Sequence, residues 1–286
     1  MNRTDNLTHK ALFTIPAPSY GTELATTKPL PPQRVITGHK QTDAYLWVLE
    51  VIRLNEPAHL QAAEDALKKL KITPKQAQER YSDYLMKSGA APFQIAFGTM
   101  SMDNPQGCID AARRSIDKAS QVRATFGSYA AALEDVEAER LIKASTNYIS
   151  DHLWGWSKAE RKAKSIGGGR SMEIDKERRA HVNGYQDVLP NPNTFSDVVR
   201  EFEYWDWLYS MRDSAAREEG WEYGYSQHHE SVYDREDYLE TLMATIKPVN
   251  RQEATDVCRW VLGSERLNDL GEPTEAIILN LVGECG

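Results

Sequence analysis

Cysteine is scarce in this chain. Cys108, Cys258 and Cys285 are the only three in 286 residues, they lie far apart, and none belongs to a CxxC pair. An odd, dispersed set of this kind argues against a disulfide framework and against a cysteine-rich zinc site. Long apolar runs are missing too. Nothing approaches the roughly 20 consecutive residues a membrane-spanning helix needs. The opening stretch MNRTDNLTHKALFTIPAPS lacks the continuous apolar core of a signal peptide. These absences predict a cytoplasmic protein that does not enter membranes. No alternating apolar and polar run bounded by turn signals is found, and no repeat of fixed period, so strands and solenoids are not expected.

Local catalytic signatures are absent in the same way. The sequence holds no GxxxxGK[ST], no GxSxG and no HExxH. The loop from Ser165 to Ser171 has three consecutive glycines, but no predicted strand precedes it, so it reads as a flexible linker and not as a phosphate cradle. His228-His229-Glu230 is the one tight His/carboxylate cluster. Neighbouring helical side chains diverge by about 100°, and Tyr233 stands where HExxH needs its second histidine. No catalytic residue, metal ligand or cofactor is assigned, and the chain is expected to act without catalysis.

What is present is a globular composition, 41% apolar and 27% charged, patterned for helices. The fold class predicted is mainly α: a multi-helix bundle with room for two helical subdomains, led by an extended Pro-rich arm. Residues 1–40 make that arm, because Pro16, Pro18, Pro29, Pro31 and Pro32 oppose helix and strand alike. A helical N-terminal half follows at 41–156. Within it, Ile109, Ala112, Ile116, Ala119, Arg123, Phe126, Ala130, Leu133 and Val136 step by three and four, which predicts one long helix over 108–150 with a bend at Gly127. A basic connector interrupted by glycine is expected at 157–193, and an acidic, aromatic-rich helical half at 194–286. Asn250 with Glu253 and Ser157 with Glu160 have the spacing of capping boxes.

Residues 58–87 carry the one local pattern tied to a known way of working. Ala62, Ala63, Ala66, Leu67 and Leu70 mark one helix, a break follows at Lys71-Ile72-Thr73, and Pro74 opens a second helix. The stretch resembles the helix-turn-helix family at the level of the motif, with Lys71 where that family commonly has glycine. The resemblance implies that the second helix enters a DNA major groove and that Lys75, Gln76, Gln78 and Arg80 face bases or phosphates.

Charge points elsewhere. The chain carries a net −8, and residues 196–240 alone hold thirteen acids against four arginines, whereas 155–182 holds eight Lys/Arg against four acids. Coating nucleic acid needs clustered cations, so bulk charge opposes it. A dense acidic face rich in Trp and Tyr suits a basic protein surface. The expected function is therefore a regulatory or inhibitory interaction protein. It would bind a partner with a basic, nucleic-acid-handling surface through Glu201, Glu203, Trp205, Trp207, Glu218, Glu219, Trp221 and Glu222. DNA binding through 58–87 is the alternative, and an enzyme whose site assembles from distant residues is the third reading. The sequence sets no oligomeric state.

Overall fold

The computed structural model describes residues 3–20, 28–264 and 273–283, and every regular element among them is helical, with no strand. The mainly α expectation holds. Backbone packing divides the chain into two compact units, one of residues 18–128 and one of residues 1–17 joined with 129–286. The divide expected across 157–193 groups 129–156 with the N-terminal half, whereas packing groups them with the C-terminal elements.

The N-terminal arm is not extended throughout. Before its first proline it forms a short helix, α1 (Leu7–Leu12), capped by Asn6, whose side chain accepts from the backbone N–H groups of Thr8 and His9. Residues 28–39 contain no helix.

The unit spanning 18–128 holds α2 (Lys40–Ile52), α3 (Pro57–Lys69), α4 (Pro74–Lys87), α5 (Pro92–Thr99) and α6 (Pro105–Phe126). Four of these five start on proline. Proline fits there because its missing N–H is one that the first turn leaves unpaired anyway. The long α2 supplies the centre. Its Tyr45, Val48, Leu49 and Ile52 are buried against Leu60 and Ala63 of α3, Ala77 of α4, and Ile109 and Ala112 of α6. The Tyr45 hydroxyl donates to the carbonyl of Met102. The Pro-rich piece lies along its own unit: Trp47 Nε1 donates to Pro31 O at 2.8 Å and His59 Nε2 to Lys28 O at 2.8 Å. The helix expected over 108–150 is cut short. It ends at Phe126 because Gly127 takes φ 81°, which closes the helix instead of bending it.

The other unit contains α1, α7 (Tyr129–Ala132), α8 (Glu137–Ala144), α9 (Lys158–Ala163), α10 (Gly168–Val182), α11 (Phe195–Glu218), α12 (Glu230–Met243), α13 (Arg251–Gly263) and α14 (Pro273–Val282). The 24-residue α11 is the hub, with α1, α7, α12 and α13 packed on it. Phe195, Val198 and Phe202 of α11 share a core with Leu239 and Met243 of α12, Val257 and Val261 of α13, and Ile277 of α14. Thr194 caps α11 and Asn250 caps α13, both through a side-chain oxygen that accepts an N3 backbone N–H. The glycine loop departs from the linker expectation, since Gly168 and Gly169 form the first turn of α10, and Ile174, Arg178 and Val182 on that helix are buried. The Ser157–Glu160 capping box at α9 is present as read.

Candidate functional site

The inner face of α11 is unusual in what it buries. Glu201 and Arg235 are both fully buried and bidentate, with Arg235 Nε donating to Glu201 Oε1 at 2.7 Å and its Nη2 to Oε2 at 2.9 Å. Arg235 also donates to the carbonyls of Gly184 and Pro190. From the opposite side His9 Nε2 donates to Glu201 Oε2 at 2.7 Å. Burial alone would raise the Glu201 pKa, but the charge of Arg235 and the hydrogen bonds from His9 and Arg235 hold it below the usual carboxylate range. One α-turn earlier, Asp197 accepts from the backbone N–H groups of Asn6 and Asn193 and from Arg200, which also reaches Asp5 at 2.6 Å. The N-terminal segment is thus fastened to the first turns of α11 by charge-assisted bonds, with Phe13 wedged edge-on against Tyr204 and Trp205.

Two further buried arginines complete the framework. Arg178 of α10 pairs with Asp234 of α12 at 2.8 Å and with Glu230 at 2.7 Å, while Arg179 pairs with Asp237 at 2.7 Å. Part of the basic block in the sequence is therefore the internal partner of part of the acidic block. Arg212 forms a bidentate pair with Glu139, donates to the carbonyls of Ala132 and Glu134, and donates to the Tyr225 hydroxyl at 3.2 Å. That last bond, together with His228 Nε2 donating to Trp205 O at 3.0 Å, fixes the return of the chain after α11. His228 sits among the rings of Trp205, Tyr209, Tyr225 and Tyr233. Burial, and after it the Arg212 charge, push its pKa below the ordinary histidine value.

This framework sorts the predicted acidic aromatic face. Glu201 and Trp205 do not belong to it: both are fully buried, because a 24-residue helix lying at the centre of its unit must turn one side inward. Trp207 and Glu218 are half-buried. Glu203, Glu219, Trp221 and Glu222 are exposed, and so is Tyr223 on the same turn, outside the predicted set. Trp221 is 51% exposed and Tyr223 84%, on the turn that leaves α11 at Gly220. The turn thus displays two large rings to solvent beside the exposed carboxylates of Glu219 and Glu222. A signal was available in the sequence, because a Gly-Trp-Glu-Tyr-Gly string cannot continue a helix packed on its neighbours.

The residues of the DNA reading are placed differently. Lys75 and Arg80 are exposed on α4, with Glu79 exposed between them. Gln76 is engaged in the capping box of Thr73, and Gln78 Nε2 donates to Thr99 O at 3.0 Å, which holds α4 to the end of α5. The turn between α3 and α4 uses extended residues, Leu70 with ψ 139° and Thr73 with ψ 152°, and no left-handed residue. Both helices pack on α2 instead of chiefly on each other.

His228 and His229 point to different partners, His229 Nδ1 lying 2.8 Å from Ser231 Oγ. Among the described residues no three His, Cys, Asp or Glu side chains converge as metal ligands. Cys108 and Cys258 are free thiols, and Cys285 lies outside the described residues. No described helix is long and apolar enough to cross a membrane. No protein-family model, curated protein or solved structure matches this chain.

Proposed function

We propose that this chain is a cytoplasmic, non-enzymatic binding protein that holds a partner with a basic, nucleic-acid-handling surface through the acidic aromatic turn following α11. The observation that carries the proposal is the exposure of Trp221 and Tyr223 among Glu219 and Glu222. Aromatic anchors dominate binding energy when a partner desolvates them, and flanking carboxylates speed encounter with a cationic surface. Glu203 is exposed farther back on α11 and adds to the acidity of that helix, Trp207 is half-buried on it, and Glu218, half-buried, adjoins the turn. Glu201 and Trp205 act from beneath, by holding α11 in place.

The test starts with capture on immobilised protein from nuclease-treated lysate, eluted by a salt step. The association rate of the recovered partner is then measured for wild type, Glu219→Gln/Glu222→Gln and Trp221→Ala/Tyr223→Ala. The carboxamide variant is expected to slow association most at low salt, and the alanine variant to speed dissociation. Rates equal to wild type in both variants would sink the proposal. The DNA alternative rests on the exposure of Lys75 and Arg80 and has its own test: retardation of duplex DNA by wild type that is lost in Lys75→Glu/Arg80→Glu.

A further inference from the structure

The same unit carries a surface of opposite character. Between α13 and α14 runs an open groove of about 810 Å³, within the range of about 300–1,000 Å³ that accommodates compact apolar ligands. Ala254, Ile278 and Val282 line it, and Arg251 and Arg259 stand along its α13 side. Ile278 is 45% exposed and Val282 69%, so the apolar lining faces solvent. Arg259 approaches Asp256 on its own helix at 3.3 Å, and both side chains are largely exposed. Arg251 has no ion pair among the described residues. The groove is therefore apolar inside and cationic at the rim, the inverse of a turn that is aromatic and flanked by carboxylates.

The two surfaces sit at opposite ends of α11. The groove lies by its start, where the backbone N–H of Ser196 donates to Glu253 Oε1 at 3.0 Å, three residues after the Asn250 cap of α13. The turn follows its end. At 1.5 Å per residue the 24 residues of α11 are roughly 36 Å long, and α13 lies against its first third, where Trp260 stacks on Phe202 at 5.6 Å, so most of the helix separates the groove from the turn. A chain cannot place its own turn in its own groove while α11 stays intact.

We propose that the occupant of the groove is a second copy of this chain, which inserts Trp221 and Tyr223 between α13 and α14 with Glu219 and Glu222 against Arg251 and Arg259. The inference rests on the turn being a binding element, as argued above, and names one partner for it. Because the two surfaces differ, the contact is heterologous. Each copy offers a turn to one neighbour and a groove to another, which builds rings or filaments instead of a two-fold dimer. Free copies and a basic partner then compete for one turn, so self-association would set how much turn is available.

Sedimentation velocity on the full chain across a dilution series, at low and high salt, reads this out. Wild type is expected to gain mass with concentration, and less so at high salt. Arg251→Glu/Arg259→Glu, which keeps the turn, and Trp221→Ala/Tyr223→Ala, which keeps the groove, are each expected to stay monomeric with unchanged helicity by circular dichroism. Mixed together, they should form a dimer and nothing larger, because only one turn and one groove remain intact. Wild type that stays monomeric throughout overturns the inference, as does a groove variant that still associates. Stabilisation of a monomeric wild type by lauric acid, lost in Arg251→Glu/Arg259→Glu, would overturn it by giving the groove to a small anionic amphiphile. The groove variant also separates the two proposals: partner capture without self-association leaves the function above standing.

Discussion

His9 Nε2 and Glu201 Oε2 meet at 2.7 Å across 192 positions of sequence, both fully buried. Arg235 completes the contact from α12. One carboxylate thus joins the N-terminal segment, the hub helix and its neighbour, and Glu201 works as a structural hub where the sequence had suggested a surface acid.

Removing one partner of that group is expected to be costly. Arg235→Met leaves Glu201 charged and dehydrated, with a loss of about 3–5 kcal/mol. Arg235→Met combined with Glu201→Leu should recover most of it, since a dehydrated charge no longer remains. Urea denaturation of the two variants decides the matter, and equal losses would assign the effect to packing instead.

Phe13 is fully buried beside Tyr204 and Trp205. Phe13→Ala should cost about 3–5 kcal/mol through lost burial and a cavity. It should also release the N-terminal segment to proteases before the rest of the chain is cut. A melting temperature equal to wild type would contradict this placement.

Stability should depend on pH through His228. Its folded pKa is depressed below the ordinary value by burial. Between the unfolded pKa of about 6.5 and the lower folded value, the unfolded chain therefore binds more protons. Stability is complete above about 6.5 and falls as pH drops below it. The buried carboxylate Glu201, whose pKa is also depressed, adds its own loss at more acidic pH. Thermal melts from pH 8 to pH 5 check the sign, and His228→Phe should flatten the upper part of the curve.

Gly184 is held at φ 60°, and a Cβ there would come within 2.2 Å of the Tyr238 ring while its carbonyl accepts from Arg235. Its neighbours Asn183 and Tyr185 are also left-handed. Gly184→Ala combines strain of about 1–2 kcal/mol with a clash against a ring that packs over Arg235 at 5.1 Å. A melt should show a drop well beyond that strain alone, and a drop confined to it would mean the Tyr238 ring yields freely.

Some helix starts were legible in the sequence because their determinants are local. Thr194, Ser157 and Asn250 cap the helices they precede, and Pro74 opens its own, each through contacts within one turn, whereas the starts at Pro57, Pro92 and Pro105 emerged only in the folded unit. The composition also set the acidic and basic blocks. What only the tertiary structure decided is where each charge goes. Glu201 turned inward because α11 lies at the centre of its unit, and Arg178 closed on Asp234 across 56 positions. Glu219, Trp221 and Glu222 stayed outside because the chain turns at Gly220 beyond the last packed residues of α11. Periodicity marks an apolar stripe, but the pairing of buried charges is a long-range choice, settled by the few arrangements in which a dehydrated carboxylate finds an arginine, as Glu201 does, or backbone N–H and hydroxyl donors, as Glu253 does.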